Sequence, residues 1–122
     1  MPKKSKAVKP SVVPRLRIHV GGQIAFGPGK AELLALIAET GSIGDAARHM
    51  DMSYMRAWKL VQTMNGCFRE PLVTATRGGQ ERGGAELTPT GGRVLALYQQ
   101  MDAGAHKGAQ AGWRGLQKLL RK

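Results

Sequence analysis

Cysteine is almost missing from this sequence. Cys67 stands alone in 122 residues, which excludes an internal disulfide and leaves no thiolate cluster for a metal. No apolar run approaches the roughly 18 residues that span a bilayer. The N-terminus is basic but lacks the apolar segment of a secretory signal. The expectation is therefore a cytoplasmic protein with no membrane partner. Catalytic signatures are missing as well. Gly29-Lys30 is followed by Ala31, and the position five before Gly29 is Ile24, so a phosphate-binding Walker loop fails at both ends. No G-x-G-x-x-G follows a strand pattern. His19, His49 and His106 lie far apart without ligand spacing, and no carboxylate pair stands out for acid–base work. Neither an enzyme, a cofactor nor a metal site is expected.

Acid is absent from both ends of the chain. Residues 1–17 hold six Lys/Arg and residues 104–122 hold five, with no Asp or Glu in either stretch. Residues 18–103 carry eight basic and eight acidic side chains, so the ends account for the whole net charge of +11. Such a charge suits a polyanionic partner, but basic ends alone are weak support for one. Hydrophobic residues make up 42%, ordinary for a folded chain, and the length fits one domain. The expected organisation is a basic arm over 1–14, a folded domain over 15–103, and a basic extension with some helical pattern over 104–122.

The periodicities within the domain are legible. Leu16, Ile18 and Val20 alternate, which predicts a short strand with Gly21-Gly22 as a turn or bulge. Leu33, Leu34, Ile37 and Ala38 fall at helical spacing and predict a first helix over 30–40. Gly41 is a natural stop and Ser42 a natural cap for a short second helix, Ile43 to about Met50. Asp51-Met52 makes a tight turn. Ser53 caps a third helix over 54–67, with Ala57, Trp58, Val61 and Met64 as its apolar stripe. Residues 72–76 and 85–88 read as two strands of a hairpin. Between them Arg77-Gly78-Gly79-Gln80-Glu81-Arg82-Gly83-Gly84 forms a glycine-rich, basic tip. Thr88-Pro89 then starts a helix along Val94, Leu97, Tyr98 and Met101. Beyond Ala103 the pattern weakens among glycines, with a second short helix expected around Trp113 and Leu116.

Strand, helix, helix, tight turn, helix, hairpin, helix is the order of a winged helix-turn-helix, mainly α with a small β-hairpin. In that arrangement the second helix braces the third, and the third presents a polar face to a major groove. The candidates on that face are Ser53, Tyr54, Met55, Arg56, Lys59, Gln62 and Thr63. Positions 55, 59 and 62 point the same way. The wing candidates are Arg77, Gly78, Gly79, Gln80 and Arg82, beside phosphate or minor groove. Residues 53–82 hold five basic and two acidic side chains, so positive charge is concentrated where a duplex would sit.

Several stretches extend the argument: Glu39-Thr40-Gly41-Ser42-Ile43, Ala46-Ala47, Met52-Ser53-Tyr54, Ala57-Trp58, Met64-Asn65, and Thr76-Arg77-Gly78-Gly79 with Gly83-Gly84-Ala85-Glu86-Leu87-Thr88 and Gly91. In these the chain resembles the N-terminal domain of the ModE-type, molybdate-dependent transcriptional regulators over about residues 29–101, and more loosely the LysR-type DNA-binding domain. The resemblance implies DNA contacts at Ser53, Tyr54, Arg56 and Lys59, a packing role for Trp58, and a wing from Arg77 to Arg82. It also implies a homodimer through the first helix and the helix after the wing, at Leu33, Leu34, Ile37, Val94, Leu97, Tyr98 and Met101. Gly66-Cys67 and Pro71 depart from the family pattern and predict a looser link between third helix and wing. Met55 places an apolar side chain where a polar groove contact is usual. The family's molybdate pocket belongs to C-terminal domains outside the resemblance, so no molybdate site is expected in this chain. The implied function is a transcriptional regulator that reads double-stranded DNA. A non-specific architectural nucleic-acid binder and a winged-helix protein-interaction module stand as alternatives.

Overall fold

Gly21 and Gly22 both have positive φ, 53° and 85°, the backbone of a two-residue hairpin turn that only glycine and a few polar residues adopt readily. In the computed structural model, which describes residues 9–76 and 84–121, that turn joins β1 (Ile18–Val20) to β2 (Gln23–Phe26) as an antiparallel pair. One strand was expected in this region; the turn makes it two. Leu16 and Ile18 pack against the core, while Arg15 and Arg17 between and before them stay exposed.

Three helices follow. Helix α1 (Pro28–Thr40) begins with proline in the first turn, where a missing N–H costs nothing. It ends at Gly41, whose φ of 75° lets its N–H reach the Ile37 carbonyl at 2.8 Å. Ser42 caps α2 (Ile43–His49), its Oγ accepting the Asp45 N–H at 3.0 Å. After a turn in which Asp51 has φ 55°, Ser53 caps α3 (Tyr54–Cys67) and accepts the Arg56 N–H at 3.1 Å. Each cap satisfies an otherwise orphaned donor and is worth about 1 kcal/mol.

The core lies where these helices meet β2. Phe26, Leu33, Leu34, Ile37, Val61, Met64 and Leu72 are fully or almost fully buried, and each such side chain contributes roughly 1.5–3 kcal/mol. Ala46, Ala47 and Ala57 are buried as well, so α2 and α3 pack without bulk between them. Phe26 meets the rings of Phe68 and Tyr98 edge-on, at centroid distances of 6.2 and 5.2 Å.

A second hairpin carries the wing. Strands β3 (Val73–Ala75) and β4 (Ala85–Leu87) pair antiparallel, Val73 opposite Leu87. The base of this hairpin is joined to the loop between α1 and α2. The Ala85 N–H donates to the Gly41 carbonyl at 2.9 Å, and Ser42 bridges to Gly84. The molecule is thus a winged helix-turn-helix.

Helix α4 (Pro89–Gln117) is a single run of 29 residues, about 44 Å at 1.5 Å per residue. The weakening pattern beyond Ala103 predicts a break there and a separate short helix near Trp113. No break occurs because isolated glycines each cost a helix only about 1 kcal/mol relative to alanine. Alanines and long polar side chains fill most positions between them, and no proline follows Pro89.

Candidate nucleic-acid interface

The line Ala57, Val61, Met64 is the buried seam of α3, at i, i+4 and i+7. Trp58, expected in that seam, lies outside it. The indole is 40% exposed. It sits about 100° further round the helix, against a cleft that α3 shares with the wing base, where Tyr54, Gln62, Asn65 and Thr74 also lie.

A different cleft borders the opposite flank of α3. Arg56 and Leu60 form its α3 wall, and Arg15, Arg17 and Lys30 line it from the first hairpin and α1. Between the two clefts runs the outward face of the helix. Met55, Lys59 and Gln62 are exposed there, with Tyr54 and Arg56 exposed beside them. Thr63 is half-buried, and Ser53 serves as the N-cap. Arg56 therefore faces the basic cleft rather than sharing the line of Met55, Lys59 and Gln62. Burial holds the Lys30 ammonium below the ordinary lysine value, with Cys67 acting in the opposite sense. The same ammonium donates to the Ile24 carbonyl at 2.6 Å.

The wing candidates Arg77, Gly78, Gly79, Gln80 and Arg82 lie outside the described residues. Their point of attachment does not. Asn65 ties α3 to the wing: its Oδ1 accepts the N–H groups of Leu72 and Val73 at 2.8 and 3.2 Å, and its Nδ2 donates to the Val73 carbonyl at 3.1 Å. Thr88 adds a bond from its hydroxyl to the Pro71 carbonyl at 2.7 Å while accepting the Gly91 N–H at 2.9 Å. The link expected to be loose at Gly66-Cys67 and Pro71 is therefore clasped on both sides. An asparagine two residues before the end of α3 is the only local signal of this. Arg15 and Arg17 were read as part of a charged end, although their alternation with Leu16 and Ile18 marked them as one outer face of an extended segment.

The residues named for dimerisation divide in two. Leu33, Leu34 and Ile37 have no exposed surface, because their seam of α1 is consumed within the protomer. Tyr98 is also buried, its hydroxyl donating to the Leu16 carbonyl at 2.8 Å. These four are core residues and not surface for a partner, a correction to the sequence reading. Val94 is half-buried, and Leu97 and Met101 are 51% and 48% exposed.

Comparison with known proteins agrees with this architecture. The family model described as "Bacterial regulatory helix-turn-helix protein, lysR family" matches residues 29–92. The chain is 47% identical over 82 residues to the molybdenum-pterin-binding protein MopB of Rhodobacter capsulatus, covering 67% of this chain and 30% of that protein. It is 38% identical over 88 residues to the molybdenum transport protein ModE of Azotobacter vinelandii, covering 72% of this chain and 33% of that one. Over 83 residues it is 39% identical to the DNA-binding transcriptional dual regulator ModE of Escherichia coli, 68% of this chain and 32% of that protein. The chain thus spans about a third of the length of these relatives. With its helix-turn-helix and wing base matched from α1 into α4, the chain belongs to the lysR-type family of bacterial regulatory helix-turn-helix proteins, which are DNA-binding transcriptional regulators.

Proposed function

We propose that this chain regulates transcription by reading duplex DNA with the outward face of α3 in a major groove and the tip 77–83 on the flanking backbone. One observation carries the reading: Met55, Lys59 and Gln62 form an exposed line on a helix capped at Ser53, packed along Ala57, Val61 and Met64, and clasped to the wing base by Asn65. Ser53, Tyr54, Arg56 and Thr63 border that line. Lys59 and Gln62 offer donors to base edges, and Met55 offers apolar contact to a thymine methyl. Arg77 and Arg82 of the wing would contribute charge at phosphate, with Gly78, Gly79 and Gln80 allowing close approach.

The reading includes a homodimer built on α4. Leu97 and Met101 are exposed, and Gly104, Gly108 and Gly112 continue their side of the helix at spacings of four. A Cβ at any of these glycines would meet nothing within 4 Å among the described residues, so no contact there requires them, yet each weakens the helix. A second α4 packed closely along this face supplies a reason. Two copies then present two α3 helices to half-sites about one turn of duplex apart, roughly 34 Å. The reading assigns no molybdate site to this chain.

The test is selection of bound duplexes from a random pool at near-physiological salt. A two-fold symmetric consensus is the expected result. Equal affinity for selected and scrambled duplexes would overturn sequence reading and leave an architectural binder.

A further inference from the structure

Four cations from three parts of the chain line one cleft beside the recognition helix. Arg15 and Arg17 enter it from the segment leading into β1, Lys30 from the first turn of α1, and Arg56 from α3. The cleft has a volume of about 360 Å³, and among the described residues no acidic side chain lines it. Among the described residues the ion pairs are Arg48–Asp45 and His106–Asp102, so none of the four has a carboxylate partner. Placing like charges together is unfavourable unless an anion joins them. The start of α1 adds to the field. Gly27 caps it without a side-chain bond, and the N-terminal end of a helix favours negative charge.

We propose that this cleft is a phosphate site, and that its ligand is a backbone phosphate of the bound duplex on the flank of α3 opposite the wing. This deepens the DNA-reading proposal above and rests on it for the source of the phosphate. The position argues for that source. Arg56 and Leu60 belong to both the cleft wall and α3, so a duplex seated on Met55, Lys59 and Gln62 carries a strand past the cleft mouth. The recognition helix is then held between two backbone contacts, the wing on one side and the Arg15–Arg17–Lys30 cleft on the other. Arginine suits such a role because its planar donors pair with two phosphate oxygens at once. These contacts position the protein without reading sequence.

The experiment compares the full chain with an Arg15→Gln/Arg17→Gln variant. Both side chains are exposed and outside the core, and thermal unfolding is the check that the variant folds. A Lys107→Gln/Arg114→Gln variant removes the same charge from the exposed surface of α4. Duplex affinity is measured across a salt series. Each lost phosphate contact lowers the slope of log affinity against log salt by about 0.9. The cleft variant should therefore give a slope shallower by about two, weaken all sequences alike, and keep the selected consensus. The α4 variant should leave the slope unchanged. An unchanged slope in the cleft variant, with duplex binding intact, overturns the proposal and leaves the DNA reading standing. Equal slope changes in both variants also overturn it, since bulk charge then explains the effect. If the unmodified chain binds no duplex, the DNA reading has failed, and titration with inorganic phosphate decides the cleft by itself. Amide shifts at Gly29 and Lys30 that vanish in the cleft variant then keep an oxyanion site. Their absence removes it.

Discussion

Asn65 holds Val73 by both of its backbone groups, accepting from the N–H at 3.2 Å and donating to the carbonyl at 3.1 Å. With the further bond from the Leu72 N–H, one side chain at the end of α3 sets where the wing leaves the body. The end of α3 and the start of β3 are thereby joined by three hydrogen bonds. Asn65→Ala leaves two part-buried N–H groups unpartnered and should cost about 2–3 kcal/mol. Chemical denaturation measures the loss. On the proposed reading, duplex affinity of the folded fraction should fall too, because α3 and the wing base lose their fixed separation.

Neighbouring glycines at the start of α4 should respond in opposite directions. A Cβ at Gly91 runs into the backbone carbonyl of Leu72, whereas one at Gly92 meets nothing within 4 Å. Gly91→Ala has to displace the chain that leads into β3 and should destabilise by about 2–4 kcal/mol. Gly92→Ala should stabilise by about 0.5–1 kcal/mol through helix propensity. Thermal unfolding of the two variants side by side checks both signs.

Trp58 should report on DNA. It is 40% exposed in the cleft between α3 and the wing base, so a duplex seated on α3 changes its surroundings. In a Trp113→Phe background, indole emission should shift on titration with the selected duplex and stay constant with an equal concentration of free nucleotide. Trp58→Ala should cost less than about 2 kcal/mol, well under the 3–5 typical of a buried aromatic.

Tyr98 links stability to high pH. Burial raises its phenol above the ordinary value of 10.0, Asp102 adds to the rise, and Arg15 and Arg17 oppose it. The folded chain thus keeps a proton that the unfolded chain releases. Its contribution is complete below about pH 10 and is lost as pH rises through the folded value. Absorbance titration in a Tyr54→Phe background should show phenolate appearing later in the native protein than in denaturant. Tyr98→Phe should remove that component of the alkaline loss. It should also cost about 1 kcal/mol at neutral pH by deleting the bond to Leu16.

The proposed dimer is tested at its two exposed apolar side chains. Leu97→Lys/Met101→Lys alters surface, not core, so the protomer should remain folded. Sedimentation should report a monomer where the unmodified chain is a dimer, with duplex affinity reduced. A dimer that survives both changes would place the contact elsewhere.

Local chemistry by itself was enough for α1 to α3, their order and the start of α4, but not for the length of α4. Ser42, Ser53 and Thr88 are short oxygen-bearing side chains ahead of apolar periodicity, and each proves to be a cap. Gly41 stops α1 because the left-handed turn it makes is steep for any residue with a Cβ. Such signals act within one or two turns, so they survive in a linear string. Which apolar residue is inside and which is outside is a different matter. Leu33, Leu34 and Ile37 carry the same pattern whether they face a partner or the protomer's own core. Trp58 sits one residue from a buried alanine. Arg15, Lys30 and Arg56 are separated by 15 and 26 residues along the chain, and no spacing rule connects them. Only the packing of β2, α1 and α3 around Phe26 brings those charges to one cleft, because tertiary contact depends on how faces meet and not on how residues follow one another.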